Sequence, residues 1–161
     1  MHLLALIKLN WIKNPNINGG NPFKIYADMT TSGGGWTLLM KNSSGANWTY
    51  SSAISTNVGM PFTTNAEVIS TTTANYSIIG WADYIKKSTS GFQYMIDAGS
   101  RGSFGGIWTA NGNYSFVNTN NTQTNVDLNT KFGNWNYVNE DGIMQRMPWY
   151  STISGGGCGI I

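Results

Sequence analysis

The residue types best suited to binding chemistry occur together in "YVNEDGIMQRMPWY", at positions 137–150. Asn139, Glu140 and Asp141 place oxygen-bearing side chains in a row directly before Gly142, a residue suited to a turn. Ca²⁺ takes about six to eight oxygen ligands from carboxylates, amide carbonyls and the backbone, so this loop matches roughly half of a coordination shell. One interpretation is therefore a calcium site formed by these residues. The other is a solvated turn whose two acids are simply exposed.

Four aromatic residues flank this acidic loop, namely Trp135, Tyr137, Trp149 and Tyr150. Sugar rings present apolar C–H faces that stack on indoles and phenols, while amides and carboxylates hydrogen-bond the hydroxyls. The loop and the aromatic residues together predict a shallow carbohydrate-binding site. The alternative is that the aromatic side chains belong to the core, because a charge-poor, β-rich domain has few other large residues.

The residue types needed by common enzyme sites are scarce. The single histidine is His2 and the single cysteine is Cys158. The sequence therefore lacks the residues needed for a Cys/His zinc site and gives little support to a Ser-His-Asp triad or an activated thiol. The glycine-rich "GSRGSFGG" at 99–106 has no P-loop lysine. A glycosidase needs two carboxylates, and we expect no enzymatic activity although four acids are candidates: Asp97, Asp127, Glu140 and Asp141.

The composition excludes several classes of protein. Charged residues make up 10% of the chain, against about 25% in an average domain. The net charge of +2 comes without a basic cluster, which argues against nucleic-acid binding. No run approaches the roughly 20 apolar residues of a membrane span, so we expect no membrane insertion. With one cysteine, the chain forms no internal disulfide.

The length of 161 residues suits one domain. We predict a lead-in at 1–8, a single domain at 9–153 and a glycine-rich tail or linker at 154–161. Short apolar runs rich in β-branched and aromatic residues, each bounded by turn residues, predict strands. These runs lie at 10–13, 23–27, 36–41, 76–79, 91–96, 107–110, 114–117 and 134–139.

Local patterns predict further turns, helices and loops. Asn111 and Gly112 predict a tight hairpin turn within 109–116. The spacing of Trp81, Tyr84 and Ile85 predicts a helix over 80–87, and 63–70 is a weaker helical candidate. The segments 43–74 and 118–130, rich in Ser, Thr and Asn, predict long loops.

The stretch "NPFKIYADMTTSGGGWTLLM" at 21–40 sets three glycines against a tryptophan. Glycine serves where φ is positive or where backbone segments approach closely. We therefore predict a tightly bent strand entry at Gly33, Gly34 and Gly35, with the indole of Trp36 covering the backbone. Asp28 is expected to anchor the turn through side-chain hydrogen bonds.

This stretch resembles the N-terminal signature of the fibrinogen C-terminal-like domain family, "VYCDM-T-x-GGGWT". The preceding "NWIKNPNINGG" resembles that family's "G-x-Y-x-I-x-P" lead-in. The match is close over 9–41 and loose beyond 45, where the chain is more similar to bacterial and bacteriophage members. Ala27 stands where animal members have a disulfide cysteine, and no aspartate ladder matches the animal calcium site, so that site does not carry over.

The resemblance implies a β-rich α+β domain with a twisted antiparallel sheet, few short helices and long loops. It also implies a non-enzymatic glycan-binding domain on a virion, as a phage fibre or decoration protein, or on a bacterial surface. Its expected partners are cell-surface or mucosal glycans and other subunits in a multimeric display. The alternative is a purely structural capping or decoration component. An exposed aromatic side chain beside polar ones favours the lectin, and a large apolar face buried against another chain favours the structural role.

Overall fold

The computed structural model describes residues 7–41, 54, 76–98, 102–117 and 125–133. The chain divides into two compact units, Met1–Tyr84 and Ile85–Ile161, and each is considered by itself. Within the described residues the fold is β-rich, with three small antiparallel sheets and a short α-helix, consistent with the expected α+β class. The domain bounds at 9–153 and the tail at 154–161 stay predictions.

The first unit contains an antiparallel sheet in the order β1-β2-β3. Its strands are β1 (Ile7–Ile12), β2 (Phe23–Asp28) and β3 (Trp36–Thr37). The β1–β2 register runs from Ile7 opposite Asp28 to Ile12 opposite Phe23, and a 3-10 turn at Asn18–Gly20 lies between the two strands. The strands predicted at 10–13 and 23–27 are confirmed, and β1 begins earlier than predicted.

A second, two-stranded sheet pairs β4 (Met40–Lys41) with β5 (Tyr76–Ser77). The strand predicted over 36–41 is therefore split, because β3 and β4 pair in different sheets. After β5 comes a 3-10 turn, Ile79–Trp81, and then α1 (Ala82–Ile85). The helix predicted over 80–87 is confirmed in part, and its α-helical portion is short.

Both faces of β2 are covered over most of its length. Phe23 packs edge-on against Trp81 at a ring-centroid distance of 4.8 Å, and Tyr26 packs against Tyr76 at 5.6 Å. Phe23 and Tyr26 point to opposite faces because side chains alternate along a strand. Burial of both makes β2 the central strand of this unit's core, where Ile78 is also fully buried.

The second unit contains the sheet β6-β7-β8. Its strands are β6 (Phe92–Ala98), β7 (Phe104–Ala110) and β8 (Val126–Gly133). Tyr94 stacks on Trp108 with an interplanar angle of 2° and a centroid distance of 5.4 Å. On β8 the register shifts beside the Ile107/Trp108 step of β7, so Asn129 is an extra residue in a β-bulge.

The hairpin and the strand predicted at 114–117 are wrong. The antiparallel partner of β7 is β8, which begins at Val126 inside the predicted loop 118–130. Gly112 lacks the positive φ that the predicted turn requires. Tyr114 and Phe116 are buried as irregular chain instead, and Phe116 packs on Phe92 at 5.4 Å. Their apolar character reflects core packing without a ladder of hydrogen bonds.

Some predicted elements lie outside the described residues. They are the weaker helix at 63–70, the strand at 134–139 and, apart from the helical residue Ile54, the loop at 43–74.

The glycine run between β2 and β3 has the conformation that the sequence predicts. Gly33, Gly34 and Gly35 have φ values of 92°, 79° and 84°. A Cβ on Gly34 would lie 2.3 Å from the carbonyl oxygen of Met29, whereas a Cβ on Gly35 would meet no atom within 4 Å. The indole nitrogen of Trp36 donates a hydrogen bond of 2.7 Å to the backbone carbonyl of Thr31 in the same loop.

This difference predicts unequal costs for two alanine substitutions. Gly35→Ala should lower the free energy of unfolding by about 1–2 kcal/mol, because alanine is disfavoured at positive φ. Gly34→Ala should cost about 3 kcal/mol or more, because it adds a backbone clash to the same strain. Urea denaturation of both variants measures the difference. Equal losses would contradict the close approach of Met29 to Gly34.

Candidate functional site

The predicted site residues lie outside the described part of the chain. These are Asn139, Glu140, Asp141, Trp135, Tyr137, Trp149 and Tyr150. The calcium site and the carbohydrate site assigned to them therefore stay predictions. Among the described residues, no three His, Cys, Asp or Glu side chains are grouped closely enough to hold a metal ion.

Asp28 is a buried carboxylate of the first unit, with 8% of its surface exposed. Its Oδ1 accepts hydrogen bonds from the backbone nitrogens of Thr30 and Thr31, both at 2.9 Å, and from the Thr30 hydroxyl at 3.1 Å. Its Oδ2 accepts one from the Thr31 hydroxyl at 2.5 Å. Burial would raise the pKa of Asp28, but these hydrogen bonds outweigh it and hold the pKa well below its usual range. The turn-anchoring role predicted for Asp28 is confirmed.

The lowered pKa predicts how stability depends on pH. A carboxylate with a depressed folded-state pKa stabilises the fold above its unfolded pKa, near 3.9, and loses that contribution as the pH falls. Asp28→Asn should therefore cost about 2–3 kcal/mol at pH 7, and the deficit should shrink below about pH 4. Denaturation at pH 7 and pH 3 tests this.

The matched control for that experiment is Asp97→Asn, which changes an exposed carboxylate and should cost less at pH 7. A deficit for Asp28→Asn that is the same at both pH values would show that the stabilisation does not come from the ionised carboxylate.

Asp97 and Asp127 do not form a glycosidase pair. Asp97 lies opposite Gly105 on β7 and Asp127 opposite Thr109. Four residues along a strand correspond to about 13 Å, which exceeds the separation of roughly 5–9.5 Å that the two carboxylates of a glycosidase need. Asp97 instead accepts a hydrogen bond from the backbone nitrogen of Gly102 at 2.8 Å, within the β6–β7 connection.

Burial also accounts for the tyrosines of the two cores. It raises the pKa of Tyr76, to which Tyr26 contributes further, and the pKa of Tyr94, to which Tyr114 contributes. It raises the pKa of Tyr114 as well, against a smaller opposing effect of the Asn125 backbone. These hydroxyls therefore stay protonated at neutral pH and serve as packing groups, not as bases.

A row of polar side chains crosses the β6-β7-β8 sheet, and we call it the polar row. The amide of Gln93 donates to the Thr109 hydroxyl at 3.5 Å, and that hydroxyl donates to the Asn129 carbonyl at 2.7 Å. The Asn111 amide donates to the carboxylate of Asp127 at 2.8 Å. All of these contacts are exposed to solvent. The polar row thus offers amide, hydroxyl and carboxylate groups already held in place.

Converting Asn111 to aspartate should introduce repulsion into the polar row. Asn111→Asp would put two carboxylates at hydrogen-bond distance, so one pKa of the pair rises because they share a proton at low pH. A raised folded-state pKa contributes stability at low pH that is lost as the pH increases. The variant should therefore lose about 0.5–1 kcal/mol relative to the parent between about pH 4 and pH 7.

Thermal or urea denaturation across that pH range measures the effect, with Asn113→Asp as the control. Asn113, like Asn111, is exposed in the connection between β7 and β8, and none of the contacts described for this part of the chain joins it to a carboxylate. A parallel pH trend in both variants would rule out a specific contact between positions 111 and 127.

An exposed aromatic surface lies on the first unit, and the side chains of Leu9, Trp11 and Lys24 define what we call the Trp11 surface. Trp11 is 66% exposed and Leu9 is 38% exposed. Trp11 and Lys24 are direct neighbours in the β1–β2 register. The Lys24 ammonium lies 5.2 Å from the centroid of the Trp11 ring, in a cation–π arrangement.

The position along β2 explains why Trp11 is open to solvent. Lys24, Tyr26 and Asp28 alternate onto the same face of the sheet as Leu9 and Trp11. Tyr26 and Asp28 are buried, whereas Lys24 is exposed. The buried part of this face therefore ends between Tyr26 and Lys24. Leu9 lies opposite the buried Tyr26 and is less exposed than Trp11, which lies opposite Lys24.

Leaving this indole uncovered forgoes a substantial free energy. A tryptophan buries about 150–250 Å² when it is covered. At about 25 cal/mol per Å², a partner that covers the exposed two thirds of the side chain would stabilise its complex with this chain by roughly 2.5–4 kcal/mol. A partner that stacks on Trp11 gains part of this energy, which makes the Trp11 surface the strongest candidate for binding among the described residues.

The apolar run at 10–13 predicts a strand but indicates no binding role for Trp11. A tryptophan within an apolar run indicates core, and its exposure depends on which part of the β2 face is covered. Polar residues near Trp11 are the available signal in the sequence. Asn10 and Lys13 lie close to it along the chain, and Lys24 lies opposite it on the partner strand.

No helix within the described ranges is long and apolar enough to span a membrane. No protein-family model, curated protein or solved structure matches this chain. The Trp11 surface, the polar row and the turn around Asp28 are therefore interpreted from their own chemistry.

Proposed function

We propose that this chain is a non-enzymatic carbohydrate-binding domain, with the Trp11 surface as its binding platform. The observation that carries the proposal is the 66% exposure of Trp11 beside the exposed Lys24. An indole offers an apolar face to the C–H face of a sugar ring, and an ammonium donates hydrogen bonds to the ring's oxygen atoms.

The energy available at one such surface makes the binding weak. The roughly 2.5–4 kcal/mol from covering Trp11 corresponds at most to a Kd near 1 mM. Useful affinity then comes from many copies that bind one surface together. This supports display in multiple copies, on a virion as a phage fibre or decoration protein or on a bacterial surface, with cell-surface or mucosal glycans as partners.

The fold that we propose is that of the fibrinogen C-terminal-like family. Its support is the sequence signature over 9–41. Within that signature, the turn from Asp28 to Trp36 is held by local hydrogen bonds and by glycines with positive φ. The acidic loop remains part of the proposal as a second binding region. Asn139, Glu140 and Asp141 would hold Ca²⁺ there, and the ion would supply coordination of sugar hydroxyls.

A structural role is the second candidate, and the adjacent exposure of Leu9 and Trp11 favours it. Two apolar side chains on one strand face are also what a neighbouring subunit would cover. In that case the domain caps or decorates an assembly and binds no sugar. A stable contact of this kind buries more than about 1,000 Å², far beyond these two side chains.

A glycan array probed with the multimerised full chain tests the carbohydrate proposal. Trp11→Ala should reduce the signal at least about tenfold, because much of the 2.5–4 kcal/mol stacking energy is lost. Phe104→Ala is the matched control, since Phe104 is 51% exposed but lies on β7 in the second unit. The array is read with calcium and with EDTA.

Each result has a distinct meaning. Binding that depends on Trp11 in both buffers supports the platform proposed here. Binding that is lost in EDTA but kept in Trp11→Ala moves the site to the acidic loop. No binding by the parent chain in either buffer contradicts the carbohydrate function, and a mass measurement of the parent and Trp11→Ala chains then tests the structural role.

A further inference from the structure

Resting on the proposed carbohydrate function, we infer that the Trp11 surface selects acidic carbohydrates, whose rings carry a carboxylate or a sulfate group. The reason is the charge of the residues around the indole. Lys24 contacts the ring, and Lys13 lies exposed two positions beyond Trp11 along the chain. The two segments that form this end of the sheet, 9–13 and 23–25, contain these two lysines and no acid.

The charge of Lys24 is not neutralised within the described residues. Its contact there is with the Trp11 ring, and no described acid pairs with it. The nearest acid along β2 is Asp28, which is buried and committed to Thr30 and Thr31. An anionic group on a bound sugar therefore gives the ammonium the opposite charge that the protein does not supply.

The geometry allows one sugar to contact both groups. The ammonium lies 5.2 Å from the centroid of the indole, so a ring stacked on Trp11 brings its substituents within reach of Lys24. The cation–π contact of an exposed lysine is weak. A carboxylate on the sugar accepts a charge-assisted hydrogen bond from the Lys24 ammonium. This contact moves the ammonium off the Trp11 ring and leaves the indole open for stacking.

The experiment compares matched ligands on the full chain, tetramerised through a biotinylated terminus, by biolayer interferometry. The probes are a uronic-acid oligosaccharide, its carboxyl-reduced neutral counterpart, a sulfated neutral oligosaccharide and polyglutamate. The parent should bind the uronic-acid probe about fivefold more tightly per site than the reduced one, the upper range for an exposed ion pair. The preference should disappear near 1 M salt, where the Debye length is about 3 Å.

Variants of Lys24 test the assignment to this residue. Lys24→Gln should remove the preference, so that the uronic-acid and reduced probes bind equally, and Lys24→Arg should keep the preference. Lys87→Gln changes an exposed lysine of the second unit and should have no effect. Binding of the sulfated probe that weakens about fivefold in Lys24→Gln counts as support, because it uses the same anion contact.

The outcomes separate this inference from the proposal on which it rests. Equal binding of the uronic-acid and reduced probes overturns the acidic preference but leaves the carbohydrate function intact. Binding of no carbohydrate contradicts both. Equal binding of polyglutamate and the uronic-acid probe overturns the inference, because the surface would then recognise acidic protein by charge alone.

Discussion

Between β2 and β3 the chain reverses direction through a loop that a single carboxylate holds closed. Asp28 accepts hydrogen bonds from both the backbone and the hydroxyls of Thr30 and Thr31. This arrangement sets where β2 ends and lets the glycine run return the chain at Trp36. Because β1 pairs with β2 from Phe23 to Asp28, the closure also marks the end of the β1–β2 ladder, at Ile7 opposite Asp28.

The same strand accounts for the contrast between the structural and the binding parts of the first unit. At its C-terminal end, β2 buries Tyr26 and Asp28, where polar groups are satisfied internally. At its N-terminal end the same face carries Lys24 and lies open, so Trp11 meets solvent. The second unit shows the opposite arrangement, with a buried Trp108 and an exposed row of hydrogen-bonded polar side chains.

How much of this the sequence predicts depends on the range of the interactions. The turn from Asp28 to Trp36 follows from residues close along the chain, and its anchoring acid and positive-φ glycines were predicted correctly. β8 was missed because it contains only three apolar side chains, Val126, Leu128 and Phe132, and begins in a stretch rich in Asn and Thr. The exposure of Trp11 depends on where the buried part of the β2 face ends, and the polar residues close to Trp11 along the chain are only a weak local signal of it. The seven residues predicted to form the loop site lie outside the described ranges and stay a prediction.

The local character of the Asp28 turn has a kinetic consequence. The hydrogen bonds that Thr30 and Thr31 donate to Asp28, and the one that the Trp36 indole donates to Thr31, join residues at most five positions apart along the chain. Loops of about ten residues close in roughly 10–100 ns, far faster than strands that are distant in sequence find each other. The turn between β2 and β3 can therefore form repeatedly in the unfolded chain before β5 pairs with β4. When β2 packs against residues distant in sequence, its C-terminal end can already have the turn conformation.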